Sequence, residues 1–238
     1  MLKGILLAGG TGSRLMPCTS CINKHLLPVG RKPMILWPLG KLTEAGIEEI
    51  MVVTGKEHAG AVVNLLGSGR EYGCHISYRV QDEAGGIAQA LGLCEGFAGN
   101  DKIMVILGDN IYQDSLISIA HEYEFGPMQG MILLKKVADA KRFGVATVED
   151  DKIMGIEEKP TEPKSNLAVT GCYFYDRQVW PIIRDLKPSG RKELEITDVN
   201  NWYIERNKMS YKILTGYWTD AGTFESLRRA NMLQFEDI

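Results

Sequence analysis

Residues 6–30 read LLAGGTGSRLMPCTSCINKHLLPVG, placing Gly9, Gly10, Thr11 and Gly12 ahead of Arg14 and Lys24. Glycines open backbone dihedrals closed to other residues and let main-chain N–H groups face a ligand, where they suit phosphate oxygens. Arg14 can grip a phosphate through a two-pronged fork, and Lys24 adds a second positive charge. The run is neither a G-x-x-x-x-G-K-[ST] loop nor a G-x-G-x-x-G dinucleotide fingerprint, because Leu15 stands where the third glycine would fall. A strand-ending turn with solvated cations is the plain alternative.

Two carboxylates stand out next. Asp109 follows an apolar run in VILGDNIY, and Asp220 ends a strand-like run in YWTDAGTF. Either could cap the segment that follows it. Brought to one rim, the pair could hold Mg²⁺ between phosphates, since that ion usually takes only one or two protein carboxylates. GIEEKP sets Glu158 beside Lys159, just before Pro160. Neighbouring side chains of a strand point to opposite faces, so these two share a site only if the strand ends or bends there. Pro160 makes an ending plausible, and a charged edge is the alternative. The spacing of the four histidines suggests no serine–histidine–aspartate arrangement. Cys18 and Cys21 form a lone C-x-x-C, without a second pair or a spaced histidine to complete a zinc site. The five cysteines therefore read as unpaired cytosolic thiols.

The elements that must position these residues follow an alternating pattern. GILLAGG, EEIMVVTG, CHISYRVQ and KIMVILGDN read as strands. Between them, KPMILWPLGKLTEAGI, KEHAGAVVNLLGSG and GGIAQALGLCEGF read as helices. This alternation predicts an α/β fold with a mainly parallel sheet covered on both faces. Ligands of such sheets sit outside the carboxyl ends of the strands. Gly9-Gly10, Gln81 and Gly108-Asp109-Asn110 all fall at such ends. In the second half, GMILLKKV, FGVATVED, DKIMGIEEKP and NLAVTGCYFYD are strand-like, and DRQVWPIIRDL, ITDVNNWYIERN and TFESLRRANMLQF are helical. Neither a repeat nor a linker interrupts the chain, so residues 1–238 read as one domain with an inserted substrate-facing portion.

Composition narrows the partners. Lys and Arg number 27 against 30 Asp and Glu, a formal charge of −3, which argues against nonspecific nucleic-acid binding. No apolar run approaches the roughly 20 residues that a membrane-spanning helix needs, so the expected address is the cytoplasm.

Taken together and in order, GGTGSRL, KHLLPVG, KPMI, VQDEAGGIAQAL, LGDN, RFGVA, EEKP, SNLAVTGCYFYD, ELEITDVN and WTDAGT resemble the sugar-1-phosphate nucleotidyltransferase family over essentially the whole chain. The resemblance is to the short-chain branch that acts on glucose 1-phosphate and dTTP. It implies a Rossmann-like core with inserted sugar-binding β elements, the N-terminal half binding nucleotide and the C-terminal half mainly sugar. By position, Gly9 to Gly12 and Arg14 would hold the nucleotide phosphates, with His25 nearby, and Gln81 and Gly86 would read the base. Gly144, Glu158 and Val169 would contact the sugar, and Lys159 and Arg191 its phosphate. Asp109 and Asp220 would hold Mg²⁺, and Arg14, Lys24 and Lys159 would serve catalysis. His25 stands where many longer members have glutamine, and Phe143 where tyrosine is common. The resemblance also implies a homo-oligomer, commonly a tetramer, working in nucleotide-sugar synthesis of the dTDP-rhamnose type for polysaccharides. A longer C-terminal extension that helps form a regulatory site in longer members is not expected.

The implied chemistry suits these residue types. A sugar 1-phosphate is largely deprotonated near neutral pH, so its oxygen needs no dedicated base. The obstacle is the approach of two like-charged phosphates, which positioning and cations relieve. The same reaction with UTP, and a catalytically silent nucleotide-sugar sensor, are the alternatives.

Overall fold

The computed structural model describes residues 1–235. Residues 236–238, counted in the single domain expected from sequence, lie outside the described residues. β1 (Leu2–Ala8) leads through the glycine-rich loop to a short hairpin, β2 (Pro28–Val29) and β3 (Lys32–Pro33). Helix α1 (Leu36–Glu44) precedes β4 (Glu49–Gly55), and α2 (Ala59–Leu66) precedes β5 (His75–Gln81). α3 (Ile87–Gly92) and α4 (Glu95–Ala98) lead to β6 (Lys102–Leu107), followed by β7 (Asn110–Tyr112) and α5 (Ile117–Phe125). Then come β8 (Gly130–Lys136), the hairpin of β9 (Gly144–Glu149) and β10 (Lys152–Glu158), and β11 (Leu167–Tyr175). α6 (Val179–Asp185), α7 (Ile196–Glu205), β12 (Met209–Ile213), β13 (Trp218–Asp220) and α8 (Phe224–Phe235) close the described chain.

Strands β6, β1, β4 and β5 lie side by side and parallel, as the alternating pattern predicts. β1 shows why. Ile5 and Leu7 point into one core with α3, α6 and α7, while Leu6 and Ala8 point into the other with α1, α2 and α5. A strand buried on both faces needs apolar residues at every position, hence the unbroken GILLA. β5 is the edge of this half and alternates in exposure instead.

Beyond β6 the sheet turns antiparallel. β11 pairs with β8 along one side, while its other side is shared between two strands. Cys172–Tyr175 pair with β6, whereas Ala168 pairs with Val145 of β9. The sheet therefore forks between β6 and β9, and β11 shifts register between Val169 and Tyr173 at that point. Gly171, inside the fork, donates its N–H to Asn110 Oδ1 at 3.3 Å instead of to a strand.

Several elements depart from the sequence reading, among them α5, which was not one of the expected helices. The helix expected across KPMILWPLGKLTEAGI starts only at Leu36, because Lys32–Pro33 pairs back with Pro28–Val29. Pro38 falls in the first turn of α1, where its missing N–H has no helical partner to lose. The helix expected across GGIAQALGLCEGF divides into α3 and α4. β12 was not among the expected strands; it pairs in parallel with β8, and its residues are mostly half-buried.

The outer strand of the fork is held by a side chain. Asn201 on α7 accepts Ile156 N–H and donates to Ile156 O, both at 2.9 Å, as another strand would. Asn201→Ala should leave that backbone pair unsatisfied and cost about 1–3 kcal/mol. Denaturant melts test this; an unchanged midpoint would refute it.

Candidate active site

The glycine-rich loop follows β1 and sits between the ends of β6 and β4. A Cβ on Gly9 would collide with Gln81 Oε1, and one on Gly55 would come within 3.2 Å of Gly9 O. The main chain at Gly55 thus runs close against that of Gly9, and the space a side chain on Gly9 would take is filled by the Gln81 amide. Gly12 is left-handed, with φ 71°, and a Cβ there would meet Thr19 at 2.8 Å. Thr19 Oγ1 and Leu15 N–H both donate to Gly12 O at 2.8 Å, and Leu15 is fully buried, so the turn is anchored from behind.

Lys24 is no solvated cation. Its stem lies across the loop, with Cε 3.0 Å from where a Cβ on Gly10 would be. Its side chain is 12% exposed, and Nζ lies 2.5 Å from Asp109 Oδ2. The opposite oxygen, Asp109 Oδ1, accepts from Asn110 Nδ2 at 2.8 Å. Asn110 is held in turn, because its Oδ1 accepts from Trp218 Nε1 at 2.7 Å and from Gly171 N–H.

β13 pairs antiparallel with β7, Asp220 facing Asn110, and Ala221 N–H donates to Asp109 O at 2.7 Å. This pairing brings the two aspartates together from distant parts of the chain. One point in space, where a Cβ on Gly222 would stand, lies 3.3 Å from Asp220 Oδ2 and 3.4 Å from both Asp109 Oδ2 and Arg14 Nη2. The capping alternative fails for both carboxylates. Thr223 caps α8, its Oγ1 accepting Ser226 N–H at 3.2 Å, while Asp109 is engaged by Lys24 and Asn110.

The two carboxyl groups differ electrostatically. Burial alone would push the Asp109 carboxyl up, but the Lys24 ammonium against it, with the Asn110 amide, holds it well below the usual carboxylate range. Asp220 is pushed up, first by burial and then by Asp109, against weaker relief from Arg142 and Arg14. Arg142 Nη2 approaches it only to 3.6 Å. Two hard oxygen donors converging, one of them short of positive charge, fit a small divalent cation. His25 behaves differently. Burial, then Lys24, lowers its pKa to about 3, so the ring is neutral at physiological pH. Its Nδ1 lies 2.7 Å from Asn23 Oδ1.

A second group of residues fills the fork. β10 ends at Glu158, and Lys159 then adopts φ 46°, its N–H donating to Phe143 O at 3.0 Å. The strand thus ends where GIEEKP suggests, and both side chains face one pocket, with Lys159 Nζ 3.4 Å from Glu158 Oε1. Glu158 Oε2 accepts from Thr197 Oγ1 at 2.8 Å, and a Cβ on Gly144 would sit 3.3 Å from the same oxygen. Arg191 Nη2 reaches Glu195 at 2.7 Å and Glu158 at 3.3 Å. Val169, 9% exposed, lines the pocket from β11, and Phe143 packs on Trp218 with ring centroids 5.1 Å apart.

The cleft has two lobes. Gly9, Gly10, Thr11, Lys24, His25, Gln81 and Gly86 line one, of about 650 Å³, while Gly12 supports it from behind. Gly144, Glu158, Val169 and Asp220 line the other. Arg14, Asp109, Lys159 and Arg191 line both. Glu193 lines both as well, so three cations and two carboxylates occupy the junction, where two anionic ligands would meet.

Several pocket residues were not among the sequence candidates: Arg142, Thr197, Asn200 and Trp218. Asn200 is 1% exposed; its Oδ1 accepts from Tyr175 OH at 2.6 Å, while its Nδ2 has no partner. A signal existed for two of them. Thr197 and Asn200 are three apart on the otherwise apolar face of α7, formed by Ile196, Val199, Tyr203 and Ile204, and polar residues there call for a partner. The cysteines lie elsewhere: Cys18 and Cys21 are exposed, the other three buried, and burial pushes the Cys94 thiol up to about 12.

A two-lobed cleft with cations and Asp109 at its junction, and Asp220 beside it in one lobe, is the equipment of phosphoryl-group chemistry. Residues 3–236 match the sequence model of the family described as nucleotidyl transferase, and the chain belongs to that family. A glucose-1-phosphate thymidylyltransferase of Neisseria meningitidis is 44% identical over 233 residues, covering 96% of this chain and 81% of that protein. A Bacillus anthracis structure, described as a candidate glucose-1-phosphate thymidylyltransferase in complex with sucrose, superposes with TM-score 0.96 at 57% identity, covering 100% of this chain and 96% of that one. A UDP-glucose pyrophosphorylase bound to UDP-glucose superposes with TM-score 0.88 at 27% identity, covering all of both chains.

The Lys24–Asp109 pair has a testable pH signature. With Asp109 depressed in the folded state, the pair's stabilisation is present above the unfolded carboxylate value of about 3.9 and is lost as pH falls through the depressed one. Lys24→Ala strands a buried carboxylate beside Asp220, costing about 3–5 kcal/mol at pH 7. That deficit should shrink toward pH 5, as the stranded Asp109 takes up a proton, and Asp109→Asn should relieve it at pH 7. Thermal melts across this range test the pair; a deficit independent of pH would contradict it.

Proposed function

We propose that this chain transfers a thymidylyl group from dTTP to glucose 1-phosphate, giving dTDP-glucose and pyrophosphate. The observation that carries this reading is the junction of the two lobes, which Arg14, Asp109, Lys159, Arg191 and Glu193 all line. Each lobe would hold one reactant. In the first, Gln81 and Gly86 face the base, and the triphosphate lies along Gly9 to Gly12, with Arg14 and Lys24 beside the reacting groups. In the second, Gly144, Glu158 and Val169 hold the sugar, while Lys159 and Arg191 hold its phosphate. An oxygen of that phosphate attacks the α-phosphorus of the nucleotide. The bond from α-phosphorus to the bridging oxygen breaks, and pyrophosphate leaves in line.

The attacking oxygen is already largely deprotonated, so no side chain need remove a proton. The neutral His25 accords with that. What the protein contributes is alignment and charge. Arg191, paired with Glu195 and Glu158 before substrate binds, can turn its fork to the incoming phosphate. Asp109 and Asp220 would hold Mg²⁺, which when bound offsets the charge of the two phosphates as they approach. The reading extends to a cytoplasmic homotetramer serving nucleotide-sugar synthesis of the dTDP-rhamnose type for polysaccharides, and this extension rests on the sequence resemblance. Among the described residues, no helix is long and apolar enough to cross a membrane.

Several nucleoside triphosphates paired with several sugar 1-phosphates, read by pyrophosphate release, test the assignment. dTTP with glucose 1-phosphate should give the highest kcat/KM. A preference for UTP would make the chain a uridylyltransferase, and pyrophosphate from no pair would make it a silent sensor. Thymine exceeds uracil by one methyl group, so the margin over dUTP, which shares the deoxyribose, should be modest, within about 10–200-fold.

The aspartates supply a second test. Asp109→Asn and Asp220→Asn should each abolish most turnover and raise the Mg²⁺ requirement, with the double variant scarcely worse than either single one. Additive losses at an unchanged Mg²⁺ optimum would exclude a shared ion.

A further inference from the structure

Gln81 ends β5 at the rim of the nucleotide lobe and is 7% exposed. Its amide nitrogen is turned inward. Nε2 donates to Gln89 Oε1 at 2.5 Å and to Gly86 O at 3.4 Å. Gly86 O is main chain, fixed at the start of α3, where it also accepts Ala90 N–H at 3.2 Å. Gly86 itself has φ 99° and is wedged so tightly that a Cβ there would lie 2.5 Å from Leu194 O. A flipped Gln81 amide would set its oxygen against the oxygens of both Gly86 and Gln89. Gln81 Oε1 therefore points the other way, toward Gly9, so closely that no side chain fits there. With both amide hydrogens engaged inside the protein, Gln81 offers a ligand an acceptor and no donor.

Gln89 does not line the lobe. It sits half-buried on α3, and its stem packs on Gly85, where a Cβ would meet Gln89 Cγ at 3.0 Å. Its contact with Gln81 is the shorter of the two that fix the amide.

We infer that Gln89 is a positioning residue for base selection: by locking Gln81 as an acceptor, it makes the site read a ring N–H and reject a pyrimidine whose matching nitrogen carries a lone pair. Thymine and uracil present such an N3–H, whereas N3 of cytosine is an acceptor. Cytosine would set two acceptors face to face, and a buried acceptor left unpaired is costly. The inference rests on the transfer reading above, with the base in this lobe. It adds the residue through which base choice is enforced. Removing the Gln89 acceptor leaves only the longer contact to Gly86 O, so the Gln81 amide can turn and donate to cytosine N3.

The test is kcat/KM for dTTP and for dCTP, each with glucose 1-phosphate, in wild type, Gln89→Leu and Gln89→Glu. Wild type should prefer dTTP strongly. Gln89→Leu should lower the dTTP:dCTP ratio by roughly tenfold or more, chiefly through a raised KM for dTTP. Gln89→Glu, which keeps an acceptor for Gln81 Nε2, should restore most of the ratio. Gln89→Met, of similar length and lacking only the amide, replaces the leucine variant if that one does not fold. An unchanged ratio in the apolar variant, or equal loss of kcat for both nucleotides without rescue by Glu, overturns the inference. Wild-type enzyme that uses dTTP and dCTP alike also overturns it while leaving the transfer reading intact. Wild-type enzyme that uses neither overturns both.

Discussion

One ammonium among two carboxylates governs this site. Lys24 satisfies Asp109 at close range, and the pairing of β13 with β7 then sets Asp220 against the same spot without an equal partner. Bringing like charges together out of water is unfavourable unless something cationic joins them. The fold supplies partial relief through Arg142 and Arg14 and leaves the rest for whatever binds. Under the proposed function, what binds would bring negative phosphate together with a positive ion. The loop glycines serve the same end, because Lys24 can reach Asp109 only by crossing backbone that carries no side chains.

The sheet explains why the second reactant can reach that point. Its parallel half presents a rim at which the strands β6, β1, β4 and β5 all end on one side. Its antiparallel half parts from that rim because β11 changes partner, from β6 near its end to β9 near its start. The fork opens beside Asp109, so a ligand in it and a ligand on the rim share the junction cations. Asn110 ties the two halves together. One side chain orients Asp109, holds Trp218 and occupies the backbone N–H that the fork leaves at Gly171.

Much of this was legible in the chain, for physical reasons. Unbroken apolar runs mark strands buried on both faces, and closely spaced glycines mark close backbone approach; both are local properties. Pro160 after Glu158-Lys159 marked a strand end, and the strand ends there. What local sequence did not contain was partnership at a distance. Nothing near Lys24 announces that it is buried against Asp109, and nothing near Asp220 that Thr223, three residues on, does the capping. The amide pair Gln81 and Gln89 looks like two ordinary polar residues until α3 folds back over the end of β5. β12 escaped notice because its half-buried MSYKI mixes polar with apolar residues, and its partner β8 lies far back in the chain. The ordered motifs, read as a family resemblance, supplied the pairing of Asp109 with Asp220 that composition and periodicity could not.

The asymmetry between the two aspartates can be measured directly. Carboxyl ¹³C resonances of aspartate-labelled protein, assigned with the Asp109→Asn and Asp220→Asn variants and followed through a pH titration without divalent cations, report each group separately. Asp109 should stay ionised to the acid limit of the folded protein, while Asp220 titrates above the ordinary aspartate value of about 3.9. Two aspartates titrating together near that ordinary value would contradict the account, since neither the Lys24 pairing nor the unmet charge at Asp220 would then exist.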